Sequence, residues 1–294
     1  MITYRGGDIV SRTLDALARA RDELAAAADS ALDVVIVDNA SRDGTIDRVR
    51  QRAPWACLIE SPGNVGFAAA CNLGIERSLQ ADLIVLLNPD VEVPADFFVR
   101  LGGLDWPLRI AARGPAIFDE RGQLEQSARG FPHARTALVG RSSLLARARP
   151  TSRLLRRDLL ADPDGGTRVV DWVSGACMII PTERFRSVGI LDEGYFMYWE
   201  DADWCHRART AGYSVIYDPA LVVTHRQGAS SRYRWAATTI SFHRSALRYW
   251  RLNVARSRAS TALAAVALAI RCVLKLIALA TRRVIARLAR RAEP

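Results

Sequence analysis

Three carboxylates lie within four positions, directly behind a run of aromatic residues, in the segment GYFMYWEDADWC. They are Glu200, Asp201 and Asp203, and the aromatic run extends from Tyr195 to Trp199. Acids in the first turn of a helix bond free backbone N–H groups and complement the helix dipole, but that purpose needs one or two acids. A carboxylate beside aromatic rings is partly desolvated, which raises its affinity for protons and suits it to general-base chemistry.

Polar residues also follow several predicted strands. Asp38 and Asn39 end the strand in VVIVDNASRDGT, Asn88 and Asp90 follow LIVLL, and His225 ends the strand in LVVTHRQG. Ligands of open α/β sheets bind beyond the carboxyl ends of the strands, and a carboxylate there can hold Mg²⁺ against a diphosphate. Each position also has a structural alternative, namely a plain turn with a helix cap, an Asn-Pro-Asp turn and a histidine buried for packing.

Several common sites are disfavoured by missing motifs. No strand is followed by GxGxxG or GxxxxGK[ST], which argues against a dinucleotide-dependent oxidoreductase and a P-loop NTPase. The four histidines include no HExxH and no closely spaced pair, which argues against a zinc site. We therefore expect a metal and side chains, rather than a glycine-rich loop, to hold the phosphates of a nucleotide.

The elements that must position these residues alternate along the first half of the chain. Helical periodicity over residues 9 to 27 precedes the apolar run LDVVIVDN, and the strands ACLIESP and ADLIVLLNPD alternate with two further helices. This alternation predicts a doubly wound α/β unit with a parallel sheet over residues 1–120. From residue 121 the predicted structure is α+β, with a hairpin and a mobile, Arg-rich surface segment before residue 170.

Charge and cysteine content separate the body from the tail. Of the 41 basic residues 12 lie in residues 241–294, beside one of the 31 acids, so the tail carries +11 and the rest of the chain −1. The five cysteines are scattered and form no CxxC pair, as expected for reduced thiols in the cytoplasm. The first residues, MITYRGGDIV, contain no apolar h-region, so we expect no signal peptide.

Taken together, the ordered motifs resemble an inverting family 2 glycosyltransferase with a GT-A fold, over roughly residues 1–232. The resemblance rests on ITY, VVIVDNASRDGT, GNVGFAAACNLGI, LLNPDVEVP, the block from WVSGACMIIP to YSVIYDP, and THRQGASS. The block around SGACMIIPTERF and FMYWEDADWCHR is most similar to bacterial rhamnosyltransferases of cell-wall or O-antigen synthesis. It implies an α/β fold with a Rossmann-like mixed sheet flanked by helices, followed by a basic helical tail.

The resemblance also implies roles for individual residues. Asp201 matches the catalytic base, Trp199 and Glu200 line the acceptor side, and Gly175 lies near the donor sugar. A divalent cation, Mg²⁺ or Mn²⁺, would be held by Asp90 and His225, with an amide at Asn88 where the family's metal motif has its first aspartate. The expected contacts to the donor nucleotide come from the strand ends and the loops after them: Thr3, Asp38, Asn39, Asn64, Asn88 and Asp90.

The implied domains are a glycosyltransferase domain, residues 1–232, and a helical, membrane-associating tail, residues 233–294. Within the first, residues 1–120 would bind the nucleotide and residues 121–232 the acceptor. The expected donor is dTDP-L-rhamnose and the expected acceptor a polyprenyl-diphosphate-linked saccharide. UDP-galactofuranose, another hexose donor, or a non-catalytic subunit that binds nucleotide sugars are the alternatives, and the oligomeric state is left open. A nucleotidyltransferase is disfavoured because its glycine-rich loop is missing.

The tail predicts contact with a membrane. Arg271 and Lys275 interrupt its apolar stretch before the roughly 20 uncharged residues that a span requires. Helical spacing places these cations and Arg282 on a minority arc, which favours a helix lying in the interface of an anionic membrane over a span or a core helix. A nucleic-acid partner is disfavoured because the cations lie among aliphatic residues. We expect a cytoplasmic protein, peripheral on the inner face of the membrane.

Overall fold

The computed structural model describes residues 1–132, 160–226 and 235–292. Three parallel strands form the first sheet, in the order β1-β2-β3, with Thr3 opposite Asp38. Helices lie between these strands and after them, as the periodicity of the sequence predicts. The elements are β1 (Ile2–Thr3), α1 (Ile9–Ala27), β2 (Val35–Asp38), α2 (Thr45–Arg52), β3 (Cys57–Glu60) and α3 (Phe67–Arg77).

A second sheet of six strands is mixed in direction. Its order is β4-β10-β6-β11-β5, and β8 pairs with β11. Two short strands, β7 (Ala128–Arg129) and β9 (Trp172–Val173), pair separately. The six strands are β4 (Leu83–Leu87), β5 (Val91–Glu92), β6 (Ile110–Phe118), β8 (Arg168–Val170), β10 (Cys177–Pro181) and β11 (Ser214–His225).

The expectation of a parallel sheet through residue 120 is therefore wrong beyond β3. β4 pairs antiparallel with β10, a strand almost a hundred residues later, with Leu87 opposite Cys177. An apolar run marks a strand buried on both faces but carries no information about the direction of its neighbours. The mixed sheet expected from the family resemblance is the observed one. The predicted mobile segment falls largely on residues 133–159, outside the described residues.

Three of the described helices pack on the second sheet and carry residues of interest. They are α4 (Phe97–Gly102), α5 (Thr182–Val188) and α6 (Glu200–Thr210). β10 is buried along its whole length, and the buried face of α6 adds Ala202, Trp204 and Cys205 to the same core. α6 is therefore anchored by its buried face, and its three acids lie in its first turn.

The C-terminal part continues with α7 (Trp235–Tyr249), a π-helical turn (Trp250–Val254) and α8 (Arg258–Ala292). α7 packs on the body: Ser245 Oγ donates to the Met197 carbonyl at 2.8 Å, and Arg248 forms a two-pronged ion pair with Asp192. The division of the chain at residue 233 stays a prediction, but α7 contacts the half predicted to bind the acceptor.

α8 presents an apolar face to solvent. Residues Arg258–Arg283 are long and apolar enough to cross a membrane by length and composition, and almost none of this stretch is buried. Lys275 lies on the side that faces α7, with its ammonium 5.7 Å from the Phe242 ring. The exposed apolar face consists of Leu263, Val266, Ile270, Val273, Leu274 and Ile277.

Candidate active site

Two buried oxygens at the ends of β1 and β2 have no hydrogen-bond partner among the described residues. They are Thr3 Oγ1 and Asp38 Oδ1, on residues that face each other in the sheet. The other carboxylate oxygen, Asp38 Oδ2, accepts from the Ser41 N–H at 2.8 Å and fixes the turn after the strand. A buried polar atom without a partner is costly unless a ligand completes it. This pair is therefore suited to bind the polar groups of a nucleoside.

An amide network joins the loop after β2 to the loop before α3. Asn39 Nδ2 donates to Asn64 Oδ1 at 3.2 Å and to the Gly66 carbonyl at 3.0 Å, while Asn39 Oδ1 accepts from the Val65 N–H at 2.9 Å. The Asn39 side chain thus stabilises the loop before α3. Asn64, predicted to contact the donor, lies beside it and also accepts from the Gly66 N–H at 3.1 Å.

Gly66 lies where the half predicted to bind the nucleotide meets the aromatic run. Its φ of +92° is in the left-handed region, and an added Cβ would lie 2.7 Å from the Phe196 carbonyl oxygen. The following N–H, that of Phe67, donates to that same carbonyl at 2.6 Å. Glycine is required here because the two loops approach backbone to backbone.

Asp90 and His225 lie together at the edge of the second sheet. His225 Nε2 is 3.2 Å from Asp90 Oδ1, and Nδ1 is 3.0 Å from Glu125 Oε2. Burial by itself lowers the pKa of His225, but the hydrogen bonds and charges of the two carboxylates outweigh it and raise the pKa to about 10. The strongly negative field that favours this proton would equally attract a metal cation.

The donor set fits a divalent cation. The carboxylate oxygen is an ordinary ligand for Mg²⁺ or Mn²⁺, and the imidazole nitrogen, oriented from behind by a second carboxylate, suits a transition metal such as Mn²⁺ better than Mg²⁺. Across the described ranges no group of three or more His, Cys, Asp or Glu side chains forms a complete metal cage. A cation here would therefore take its remaining ligands from water or from the phosphates of a substrate. Asn88 is half-buried two residues before Asp90.

The carboxylate of Asp201 is held by two backbone groups. Oδ2 accepts from the Gly175 N–H at 2.9 Å and Oδ1 from the Ala202 N–H at 2.8 Å. Burial raises the pKa of Asp201, while these two hydrogen bonds and the nearby Arg129 oppose that rise. The carboxylate is thus oriented, partly exposed and more basic than a surface aspartate. Gly175, expected near the donor sugar, contacts this carboxylate directly.

Glu200 occupies a different environment from its neighbour. It is 5% exposed, and its Oε2 has no partner within the part of the chain that the structure describes. Burial, followed by the charge of Asp201, raises the pKa of Glu200 well above its ordinary value. Of the two adjacent acids, only Asp201 is both oriented by hydrogen bonds and accessible.

The two residues before α6 adopt left-handed backbone conformations. Tyr198 has φ of +69° and Trp199 of +74°, values that cost free energy for non-glycine residues and cluster at functional sites. The Trp199 ring packs against Tyr249 at 5.0 Å and Phe242 at 5.8 Å, both on α7. Part of the aromatic run is therefore a packing surface for α7, and the role of Trp199 on the acceptor side stays a prediction.

Asp203 serves the fold. Its side chain is 4% exposed and accepts from Tyr195 Oη at 3.1 Å and Asn253 Nδ2 at 2.9 Å, and it pairs with Arg207 at 3.0 Å. The sequence leaves two roles open for this acid, a helix cap or a contact to acceptor hydroxyls. The partners of its carboxylate are side chains rather than backbone N–H groups of α6, and the carboxylate is buried among them, so neither role is favoured.

Backbone contacts bring the separate parts of the site together. The Asn88 N–H donates to the Ala176 carbonyl at 2.9 Å, next to the glycine that binds Asp201. The Arg226 N–H donates to the Asp90 carbonyl at 2.8 Å, and the Asn39 loop contacts the aromatic run through Gly66. These contacts link the loop after β2 to the aromatic run that precedes Asp201, and the loop after β4 to the segment that holds the Asp201 carboxylate.

Several residues of this region were missed from the sequence. Glu125 orients His225 across a hundred positions of sequence, and Ser245 and Arg248 fix the aromatic run from α7. Only Gly66 carried a local signal, since a glycine before a helix start often needs positive φ. The other partners depend on contacts between distant segments, which no short motif records.

Comparisons with known proteins identify the family. Residues 1–102 match the family model described as glycosyl transferase family 2. The N-acetylglucosaminyl-diphospho-decaprenol L-rhamnosyltransferase of Mycobacterium tuberculosis (strain H37Rv) is 30% identical over 261 residues, covering 83% of this chain and 80% of that protein. The rhamnosyltransferase WbbL of Escherichia coli K12 is 30% identical over 189 residues, 60% of this chain and 68% of the relative.

The fold agrees with these similarities. The mannosyltransferase PcManGT from Pyrobaculum calidifontis, solved in complex with GDP-Man and Mn²⁺, superposes with a TM-score of 0.55 at 17% identity, covering 98% of this chain and 78% of that one. A structural similarity at 17% identity shows only the fold, and here it confirms the expected GT-A architecture. The chain therefore belongs to glycosyl transferase family 2 and is related to bacterial rhamnosyltransferases.

Proposed function

We propose that this glycosyltransferase moves L-rhamnose, with inversion, from dTDP-L-rhamnose onto a polyprenyl-diphosphate-linked saccharide in cell-surface polysaccharide synthesis. The rhamnosyl group and the acceptor are supported by the activities of the relatives, one of which acts on N-acetylglucosaminyl-diphospho-decaprenol. The observation that carries the mechanism is the Asp201 carboxylate, anchored by the Gly175 and Ala202 N–H groups beside the metal-binding edge.

In this proposal one group of residues activates the acceptor, and another group binds the donor nucleotide and its leaving diphosphate. Thr3 and Asp38 would bind the nucleoside, while Asp201 would accept the proton of the acceptor hydroxyl as that oxygen attacks the anomeric carbon. The backbone N–H groups keep the carboxylate pointed at the acceptor. Asp90 and His225 would hold a divalent cation, which supplies positive charge to the departing diphosphate.

Replacement of the proposed base tests this assignment. Asp201→Asn keeps the shape of the side chain and removes its basicity, so we expect turnover to fall by about a hundredfold or more with donor affinity unchanged. Turnover would be measured with radiolabelled dTDP-L-rhamnose and donor affinity by calorimetry. The matched control is Asp15→Asn, at an aspartate paired with Arg52 on the surface. Near-normal turnover of Asp201→Asn would remove Asp201 from the role.

Metal removal tests the other side of the reaction. We expect excess EDTA to abolish transfer and added Mg²⁺ or Mn²⁺ to restore it, because the charge of the leaving diphosphate would otherwise have no cation beside it. If transfer persists in EDTA, side chains stabilise the leaving group. Arg226, which already pairs with Glu92 and Glu120, is the candidate within the described residues. Arg232, six residues further along the sequence, is a second candidate and lies outside them.

A position on the inner face of an anionic membrane completes the proposal. The exposed apolar face of α8 extends over residues 263–277, about 21 Å at helical rise, and Arg271 and Lys275 lie away from it. A helix with these two sides is suited to lie in the bilayer interface, where a polyprenyl-linked acceptor is found.

Another donor is the principal alternative, and UDP-galactofuranose is the one expected from sequence. Within the described residues we identify no side chain that selects the sugar. Thermal unfolding of the purified protein with a panel of thymidine and uridine diphosphate sugars would distinguish the donors, because a ligand that binds only the folded state raises its apparent stability. Binding of a donor without any transfer would instead favour a non-catalytic subunit.

A further inference from the structure

Two cations of α8, Arg271 and Lys275, lie on the side of that helix that faces α7. Both are half-buried, and their spacing of four residues puts them one turn apart on the same side. Neither α7 nor α8 contains an aspartate or a glutamate. Neither side chain forms an ion pair with any residue in the described ranges. This cation pair, Arg271 and Lys275, is therefore without a counter-charge from the part of the chain that the structure describes.

His243 shows how close the cation pair lies to α7. Its ring is 4% exposed, and its Nδ1 donates to the Thr239 carbonyl at 2.7 Å. Burial lowers the pKa of His243 and the Thr239 hydrogen bond opposes this, while the charges of Arg271 and Lys275 lower the pKa further. The ring is therefore neutral at pH 7, and both cations are near enough to act on it.

Such an arrangement favours a bound anion. Like charges one turn apart on a helix repel each other, and partial burial adds a cost of desolvation for each. An anion that contacts both cations would offset the repulsion and replace the lost hydration with charge-assisted hydrogen bonds. A diphosphate carries oxygens on two phosphorus atoms and suits two cations that lie about 6 Å apart along the helix axis.

The position of the cation pair around α8 relates it to the membrane. Its centre lies about 130° around the helix axis from the centre of the exposed apolar face. When that apolar face lies in the bilayer, the cation pair stands above the acyl chains, at the level of the headgroups. The diphosphate of a lipid-linked saccharide leaves the membrane at the same level.

Aromatic rings connect the cation pair to the candidate active site. The Lys275 ammonium is 5.7 Å from the ring of Phe242, and that ring is 5.8 Å from the ring of Tyr198. Tyr198 is 36% exposed, and burial followed by the charges of Glu200 and Asp90 raises its pKa. Tyr198 therefore lies between α7 and the carboxylates of the site. Its exposed ring suits a sugar, whose faces are apolar and whose rim is polar.

We propose that Arg271 and Lys275 bind the diphosphate of the lipid-linked acceptor, whose saccharide extends past Phe242 and over Tyr198 towards the start of α6. The identity of the acceptor rests on the proposed function, whereas the anion site rests on the cation pair itself. The two cations bind the acceptor and take no part in the chemical step.

Direct binding tests the cation pair without any transfer reaction. The probe is N-acetylglucosaminyl diphosphate with a short prenyl chain, titrated into the full-length protein by calorimetry. We expect the double variant Arg271→Gln with Lys275→Gln to bind the probe at least tenfold more weakly than wild type, because two charge-assisted contacts are lost.

A second double variant is the matched control for charge. Arg256→Gln with Arg258→Gln removes two exposed arginines just before and at the start of α8, so it changes the net charge equally and should bind the probe as wild type does. Exchange of the two cations, Arg271→Lys with Lys275→Arg, keeps both charges and should retain most of the affinity. Equal affinity of the control and of Arg271→Gln with Lys275→Gln overturns the proposal.

Competition distinguishes the diphosphate of the acceptor from the phosphate of an ordinary phospholipid. We expect short-chain phosphatidylglycerol, at the concentration of the probe, to leave binding of the probe unchanged, because its single phosphate makes fewer contacts with the pair. Displacement of the probe by phosphatidylglycerol at equal concentration would assign the cation pair to membrane phospholipids and overturn the proposal.

Kinetics provide a readout that a structural role of the pair would not give. We expect Arg271→Gln with Lys275→Gln to raise the KM for the diphosphate probe about tenfold, and to leave the KM for octyl N-acetylglucosaminide, which has no phosphate, within about twofold. Transfer onto the octyl acceptor also shows that the variant is folded. An equal rise in both KM values would mean that the pair acts on the fold and would overturn the proposal.

The outcomes separate this proposal from the proposed function. Probe binding that is lost in Arg271→Gln with Lys275→Gln, without transfer from any donor in wild type, supports the diphosphate site and contradicts the transferase assignment. Normal transfer with the same KM for the diphosphate probe in wild type and in this variant supports the transferase and overturns the diphosphate site.

Discussion

The three neighbouring carboxylates at the start of α6 differ in their chemical state because their surroundings differ. Asp201 is oriented by two backbone N–H groups, Glu200 is buried with one oxygen unpartnered among the described residues, and Asp203 is engaged by Tyr195 and Arg207. Sequence spacing placed all three at the start of a helix. It could not separate their roles, because desolvation and hydrogen bonding come from segments distant in sequence.

The buried acid gives a prediction for stability. Burial and the charge of Asp201 raise the pKa of Glu200, so the folded state binds this proton more tightly than the unfolded state does. The free energy of unfolding should therefore fall as pH rises above the unfolded pKa of about 4.3 and through the higher folded value. We expect Glu200→Gln to raise Tm at pH 8 by about 2–4 °C, measured by calorimetry.

Comparing the Tm of wild type and Glu200→Gln at lower pH tests whether the pH dependence has the expected sign. Near pH 3, well below the unfolded pKa of about 4.3, wild-type Glu200 is protonated in both states, so the difference in Tm from Glu200→Gln should vanish. Glu60→Gln, at an exposed glutamate that pairs with Arg50, is the control and should leave Tm unchanged at both pH values. A Tm for Glu200→Gln below that of wild type at pH 8 would contradict the argument.

At the scale of elements, the site depends on loops that approach closely after the strands end. The Asn39 loop, the loop before α3 and the aromatic run meet at Gly66 and the Phe196 carbonyl. The positions of α1 to α3 and of β2 to β4 were predictable because periodicity and turn residues are local signals. The contact between loops was not, since it joins residues 66 and 196.

We expect Gly66→Ala to disrupt this contact. The added Cβ would meet a backbone oxygen at 2.7 Å in a left-handed conformation, so the free energy of unfolding should fall by about 1–3 kcal/mol. Urea unfolding would measure it, and the donor KM should rise because the Asn39 network moves with the loop. Gly63→Ala, where a Cβ would meet open space, is the control and should match wild type. Equal free energies of unfolding for the two variants would show that the two loops can move apart without a cost in stability.

At the scale of the whole molecule, α7 links the catalytic body to the exposed helix. Tyr249 is buried in the main core, and Arg248 and Ser245 hold the segment that precedes α6. α8 contributes little to that core, since almost none of its apolar stretch is buried. The tail as predicted from charge thus contains two parts that differ in their contact with the body.

Truncation should separate those two parts. A chain ending at residue 254 should stay folded, keep transfer onto a water-soluble acceptor, and no longer sediment with anionic vesicles, because the apolar face of α8 is gone. A chain ending at residue 234 is the control and should lose cooperative unfolding, since it lacks the buried Tyr249 and Trp250. If the chain ending at 254 still sediments with the vesicles, the membrane contact lies elsewhere in the protein.

The sequence by itself determined the family resemblance, the alternating elements of the first half, the division of charge between body and tail, and which polar residues end the strands. These features are local in the chain, and short-range sterics and burial periodicity specify them. Only the tertiary structure decided that β4 pairs antiparallel with β10, that Glu125 orients His225, and that α7 packs against the aromatic run. Those pairings form between segments distant in sequence, because packing and hydrogen bonding in the folded chain determine which segments meet.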